Sequence, residues 1–417
     1  MRIAIVGGGV SGLTAAYLLA RKHEVVVFEQ DRRIGGHTNT VDVTESGRTI
    51  PVDTGFIVFN DRTYPNFIAL MQKLGVESRE SSMSFSVRCE RTGLEYNGTS
   101  FRTLFAQKRN ALRPRFLRML TEILRFNREA LEALKADSEQ TLGAYLERNR
   151  YSATFRDYYV VPMGAAIWSA PAAAMLTFPL RFFVAFFKNH GMLSVNDRPV
   201  WRTVVGGSRS YLGPLCRSFA NSVRLDAPVI SVRRDDPGVL VRWKPPTEAA
   251  REERFDHVIM ACHSDQALKL LADPTNAERE VLGAMPYQEN EAILHTDASV
   301  LPRRRPAWAA WNYHVPATPL ARVSVTYSMN ILQGIDSRTQ YLVTLNRSDI
   351  IAPEKILRRI VYHHPQYTLA GVDARARWRE ISGTRNTHYC GAYWANGFHE
   401  DGVSSALRVG AAFGESL

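Results

Sequence analysis

Ile3, Ile5 and Val6 give the first residues a short apolar, β-branched run, the pattern of a buried strand. Gly7-Gly8-Gly9-Val10-Ser11-Gly12 follows, and then Leu13, Ala16, Tyr17, Leu18 and Ala20 fall at helical spacing. A second run, Val25-Val26-Val27-Phe28, ends on Glu29. Strand, glycine turn, helix, strand and acid predict a β-α-β unit of about thirty residues. Later, residues 223–232 read as a strand and 239–243 as its partner, with Asp235-Asp236-Pro237-Gly238 supplying turn chemistry between them. Residues 255–261 read as a strand that returns to the parallel sheet. Phe178, Phe182, Phe183, Phe186 and Phe187 recur at three- to four-residue intervals. They predict one helix face, either ordinary core or the wall of an apolar tunnel.

Two segments stand out for their charge. Residues 158–180 carry none, which is long enough to cross a bilayer. Pro162, Gly164, Pro171 and Pro179 interrupt them, so the pattern predicts a buried, irregular segment and not a span. Residues 101–120 hold Arg102, Lys108, Arg109, Arg113, Arg115 and Arg118 and no acid. Pro114 suits the first turn of a helix whose apolar face would be Phe116, Leu120, Ile123, Leu124 and Leu131. Such a basic amphipathic segment suits an anionic membrane surface or, equally, a solvated face. No recognition fold accompanies the charge, so nucleic acid is not an expected partner.

At 417 residues the chain has room for two or three packed units, and 45% hydrophobic residues supply their cores. The net charge of +11 comes from forty-four arginines and eight lysines, a bias that fits a GC-rich genome as well as an anionic partner. Cys89, Cys216, Cys262 and Cys390 have no C-x-x-C spacing, which suits reduced thiols. No secretory signal pattern opens the sequence, so the expected location is cytoplasmic, with peripheral membrane contact left open.

The glycines have separable tasks. Gly7 permits the tight turn, Gly9 admits a pyrophosphate close to the backbone, and Gly12 lets helix and sheet approach. The helix N-terminus offers unpaired N–H groups to phosphate, and Glu29 can accept from ribose hydroxyls. This much predicts a dinucleotide and leaves FAD and NAD open. A second glycine pair, Gly35-Gly36, follows Glu29 after five residues. That spacing resembles the amine oxidase and phytoene desaturase superfamily of flavoproteins.

Several further stretches carry the same resemblance. They are Asp53-Thr54-Gly55-Phe56-Ile57, a helix ending at Leu74-Gly75, the Gly206-Gly207 turn, and Gly391-Ala392 with a terminal helix starting near Gly402. The resemblance implies FAD as cofactor. The implied shell is Gly7, Gly9, Val10, Ser11, Gly12, Glu29, Gln30, Gly35, Gly36 and His37, where the family usually has an arginine. Thr54, Gly55, Phe56 and Ile57 would pass the isoalloxazine, and the Val229 backbone would meet the adenine. Gly391, Ala392, Asp401, Gly402 and Val403 would close the site, with Asp401 read equally as a helix cap. The implied fold class is α/β, a discontinuous Rossmann-like FAD-binding domain (1–62, 200–284 and 383–417) with an inserted α+β substrate domain (63–199 and 285–382). No second G-x-G-x-x-G is present, so no separate NAD(P)H site is expected and electrons would pass to oxygen or a quinone-like acceptor.

Within that superfamily, Lys188–Leu193, Trp308–His314, Thr326–Gln333 and Gly397–Gly402 resemble bacterial amine-oxidase-like FAD proteins associated with cyclopropane-fatty-acyl-phospholipid synthase-like enzymes. The resemblance implies a lipid or modified fatty-acyl substrate, its desaturation by hydride transfer to flavin N5, and an acyl-modifying methyltransferase as partner. An amine oxidase would use a lysine near the flavin, and Lys188 is the one beside a plausible pocket motif. For a general base, His314 comes first, flanked by Trp311 and Tyr313, and His190 and His399 follow. Amine- or carotenoid-type oxidation, a redox-neutral flavin isomerase and a non-catalytic FAD-binding partner of a lipid methyltransferase stay open as alternatives.

Overall fold

The computed structural model describes residues 1–135, 140–194, 196–318 and 320–417. β1 (Arg2–Val6), α1 (Val10–Leu19) and β2 (Glu24–Phe28) form the opening β-α-β unit, with Ile3 opposite Val25 in parallel register. β1 lies central in a five-stranded sheet whose order is Val223–Arg224, β2, β1, His257–Met260 and Thr387–Tyr389. Every pairing in it is parallel. Both faces of such a sheet are covered, which is why these strands read as unbroken apolar runs.

The strand expected over 223–232 is two strands. Val223–Arg224 stays beside β2, whereas Val229–Asp235 joins an antiparallel sheet with Gly238–Trp243 and Arg251–Phe255. Asp226 between them has φ of 49°, and Pro228 has no N–H to continue a ladder.

A seven-stranded sheet faces this unit. Its order is Ile356–Pro365, Tyr287–His295, Leu342–Leu345, Val325–Ser328, Trp311–Val315, Phe85–Cys89 and Glu95–Asn97. Only Trp311–Val315 and Phe85–Cys89 pair in parallel. Helices cover one side. The uncharged segment is broken, as its prolines predict: a π-helical turn Arg156–Val160, helix Val161–Trp168, a left-handed Ser169, then short helix Ala172–Leu176. Among the described residues no helix is long and apolar enough to cross a membrane. On helix Leu180–Asn189, Phe183 and Phe187 are fully packed, so the phenylalanine stripe is mainly core.

Three further helices matter below: α2 (Pro65–Leu74), α3 (Phe101–Leu104) and α4 (Pro114–Glu129). Gly75 ends α2 in the left-handed region, and Pro114 starts α4. The inward face of α4 is Phe116, Met119, Glu122 and Phe126, and Leu124 is exposed. The expected phase was therefore partly wrong, because spacing 116, 119, 126 keeps one side of the helix and 124 leaves it.

The C-terminal helix His399–Ala412 packs on α1. A Cβ on Gly402 would lie 2.7 Å from Val10 Cγ1 and 2.9 Å from Ser11 Oγ, so this contact admits no side chain. Gly402→Val is therefore expected to cost about 1–3 kcal/mol of stability. Thermal unfolding checks this, with Gly213→Ala, where no atom lies within 4 Å of the new Cβ, as the harmless control. A Gly402→Val protein as stable as wild type would contradict the packing described.

Candidate functional site

A cavity of about 1500 Å³ runs from the glycine turn to the seven-stranded sheet. At its first end a Cβ on Gly12 would collide with the Gly7 carbonyl oxygen, whereas one on Gly9 would meet no protein atom within 4 Å. Gly12 is thus needed for packing. The open space at Gly9 is what a pyrophosphate would fill. The first N–H groups of α1 have no side-chain cap, and Gly9, Val10 and Ser11 line the cavity, so unpaired donors stand at its wall. Glu29 accepts from Gly8 N–H at 2.8 Å and Asp31 N–H at 2.9 Å, and each oxygen keeps a lone pair for a ribose hydroxyl. Burial raises its pKa, against the pull of those two N–H groups.

The second glycine pair is tied to the first by Gly35 N–H donating to Gly8 O at 2.7 Å. His37 stands where an arginine was expected. Its ring stacks on Tyr362 at 4.8 Å between centroids, and burial lowers its pKa to about 3, so it is neutral. Arg33, not anticipated from the sequence, lines the same wall and donates to Gly36 O at 2.8 Å. The positive charge missing at His37 is present there. Asp53 fastens the Gly206-Gly207 turn to this region by accepting from Ser208 N–H at 2.9 Å and Gln333 Nε2 at 3.0 Å. Burial pushes it up to about 6.

Of the cofactor shell expected from sequence, Gly7, Gln30, Gly36, Thr54, Gly55, Phe56, Ile57, Val229, Gly391 and Ala392 also line the cavity. Gly12, Asp401, Gly402 and Val403 do not. The C-terminal helix begins at His399, three residues ahead of Gly402, which turns these positions away from the cavity. Asp401 caps that helix, accepting from Phe398 N–H at 2.9 Å and Asn396 N–H at 3.1 Å. Glu400 caps a different helix, accepting from Phe67 N–H of α2 at 2.8 Å.

The four catalytic candidates divide in the same way. Strand alternation puts His314 on the face opposite Trp311, where its Nε2 is 3.0 Å from Glu90 Oε1, away from the cavity. Tyr313 shares the Trp311 face but sits in the core beyond the cavity wall. His190 and His399 do line it, His190 with both nitrogens engaged and His399 with its Nε2 engaged. His190 Nδ1 donates to Phe186 O at 3.0 Å, and its Nε2 meets Thr63 Oγ1 at 3.1 Å. His399 stacks on Phe56 at 3.5 Å, and its Nε2 meets Thr38 Oγ1 at 2.9 Å. Lys188 is exposed and lies off the cavity; Lys269 is the lysine on its wall.

The far lobe is mainly apolar, lined by Met83, Phe85, Met163, Ile167, Trp168, Phe186, Met192, Trp311 and Leu345, with Ser81, Ser84, Ser169, Tyr159 and Tyr327 among them. Between the lobes stand residues the sequence reading missed, Tyr362, His364 and Tyr367 on the cavity wall with Asn290 behind them. Glu291 N–H donates to Asn346 Oδ1 at 2.9 Å, which fixes that amide. Asn346 Nδ2 then donates to Asn290 Oδ1 at 2.8 Å, so Asn290 Nδ2 donates to His364 Nδ1 at 2.9 Å. The relay assigns the ring proton to Nε2 and makes His364 a neutral donor. Burial lowers its pKa to about 3.

His37, His190, His263, His295, His364 and His388 are all held neutral by burial, with pKa values near 3 or 4. An unfolded chain takes up protons at about 6.5, so each of them lowers native stability as pH falls from there towards 4. Asp53 and Asp401, both near 6, act with the opposite sign because the native state protonates first. Six groups outweigh two. The unfolding midpoint is expected to fall between pH 7 and 5, with the ¹⁵N spectrum of His364 holding the Nε2–H form throughout. A midpoint that rises on acidification would contradict these assignments.

Residues 10–311 match the family described as flavin containing amine oxidoreductase. An L-amino-acid oxidase of Pseudechis australis is 22% identical over 309 residues, which is 71% of this chain and 57% of that protein. The chain thus spans little more than half the length of the curated relatives it matches. Cyclohexylamine oxidase from Brevibacterium oxydans shares the fold at a TM-score of 0.70 and 15% identity, over 99% of this chain and 98% of that one. A CLA-producing fatty acid isomerase from P. acnes does so at a TM-score of 0.60 and 16% identity, over 99% and 98%. FAD is the cofactor that family and fold imply, and the glycine-lined end of the cavity fits it. A match over more than half of the chain makes this protein a member of the flavin-containing amine oxidoreductase family.

Proposed function

We propose that the chain is an FAD-dependent oxidoreductase that desaturates an apolar, uncharged or anionic lipid, a modified fatty-acyl chain being the best fit. One observation carries this reading. Among the described residues, Glu29 and Asp31 are the cavity's only acids, and both belong to the dinucleotide end. An ammonium substrate would be stripped of water in the far lobe with no carboxylate to receive it, at a cost of several kcal/mol. An acyl chain meets the opposite condition and gains ~0.8 kcal/mol for each CH₂ buried.

Bound FAD would supply the two-electron acceptor. The chain's own part is positioning and exclusion of water. Gly9 and the first turn of α1 would hold the phosphates, and Glu29 the ribose. Met83, Phe85, Met163 and Ile167 form dry walls for the acyl chain, and Arg198 at the exposed rim suits a carboxylate or phosphate headgroup. His364, fixed as a donor, would hold a substrate oxygen. The hydride lost in desaturation would pass to FAD, and the proton that leaves the adjacent carbon to solvent water at the exposed rim. An acyl-modifying methyltransferase is the proposed source of the substrate.

The test is anaerobic mixing of the yellow holoprotein with phospholipid bearing methyl-branched or cyclopropane chains, following flavin absorbance near roughly 450 nm. Loss of absorbance with lipid and none with amines is expected. Loss with amines alone would overturn the reading. A shifted double bond in the recovered lipid, with no lasting bleaching, would favour a redox-neutral isomerisation, the second reading suggested by the likeness to the fatty acid isomerase.

A further inference from the structure

We infer that residues 101–128, together with the arginine loop at 303–305, form a docking surface for an anionic phospholipid bilayer. Phe101 is 82% exposed and Leu112 86%, the two highest values among the exposed large apolar side chains. Leu117 and Leu124 are exposed too, and seven residues apart they share one stripe of α4. Four apolar side chains thus stand in water on one short segment, where a scattered surface would show them singly.

The charge around them has one sign. Arg102, Lys108, Arg109 and Arg115 are exposed, with no ion-pair partner among the described residues. Glu122 is the only acid in 101–128, and it is buried under the face, accepting from Ser152 N–H at 3.1 Å and Arg118 Nε at 3.1 Å. A distant part of the chain adds to the same patch. The turn Arg305–Ala307 packs against α3, and Glu95 holds this loop by accepting from Arg303 N–H at 2.9 Å and Arg304 N–H at 3.1 Å. The Glu95 carboxylate is spent on backbone, and the three arginine side chains are exposed with no ion-pair partner among the described residues, Arg305 lying over the Trp308 ring at 5.5 Å.

Basic residues alone would suit any polyanion. Exposed phenylalanine and leucine among them suit the headgroup–acyl boundary, where apolar groups enter and basic groups meet lipid phosphate. The face is presented rigidly, because Phe116, Met119 and Phe126 of the same helix are anchored in the core. This surface does not depend on the substrate proposed above, and it would serve a membrane-borne substrate of any class.

The test is sedimentation of the full-length holoprotein with vesicles of phosphatidylcholine alone or with one third phosphatidylglycerol, at low and high salt. Binding to the anionic vesicles only, weakened by salt, is expected. Arg102→Gln with Arg109→Gln should lower the partition coefficient about tenfold or more. Phe101→Ser with Leu112→Ser should lower it with net charge unchanged, and neither pair should shift the melting temperature, since all four side chains are exposed. Absence of binding to anionic vesicles overturns the inference. So does binding that the Phe101→Ser, Leu112→Ser protein retains in full, or that duplex DNA matches, since either result describes a general polyanion surface.

Discussion

The contact between α1 and the C-terminal helix is the constraint on which the cavity depends. Gly402 lies against Val10 and Ser11 with no room for a Cβ. Ser405 Oγ accepts from Gly391 N–H at 2.8 Å, and Glu400 caps α2. These bonds bring the last part of the chain onto the first turn of the opening β-α-β unit. They also set Phe398 and His399 into the cavity wall, between the dinucleotide end and the apolar lobe. Loss of the close approach would part the two ends of the chain and open the site to water.

What the sequence made legible was whatever is decided locally. The glycine turn was readable because Gly12 meets Gly7, five residues away, and Gly9 faces open space. Pro114 and Gly75 marked helix ends for equally local reasons. Asn290, Tyr362 and His364 escaped notice because their meeting is set by the antiparallel register of Tyr287–His295 on Ile356–Pro365, with Asn290 opposite Tyr362 across more than seventy residues. His314 was misplaced by strand parity: beside Trp311 in sequence, it faces the other side of the sheet. Asp401 is ambiguous in sequence because its role depends on where its helix starts, and the start at His399 makes it a cap. The parallel sheet followed from the unbroken apolar runs of its strands, whereas the inserted domain followed only from the family resemblance, and the loop arginines at 303–305 gave no sign that they would join α3.

Electrostatically the cavity has a charged end and a neutral one. Glu29, Asp31 and Arg33 gather where a dinucleotide would lie, and His37 and His364 on the wall are kept neutral by burial. On the proposed reading a wall of this kind would not attract an ammonium group, and the donor on His364 would be a directional feature of it. Arg198, Arg358 and Arg359, all exposed, stand on its boundary and place positive charge there. On the reading proposed above, the arrangement would select by length and apolarity more than by charge.

That claim is tested most directly by titrating the holoprotein with saturated fatty acids of increasing chain length and measuring Kd. Affinity is expected to rise about threefold to fourfold for each added CH₂ until the lobe is filled. An affinity independent of chain length, or a preference for short cationic ligands, would contradict it.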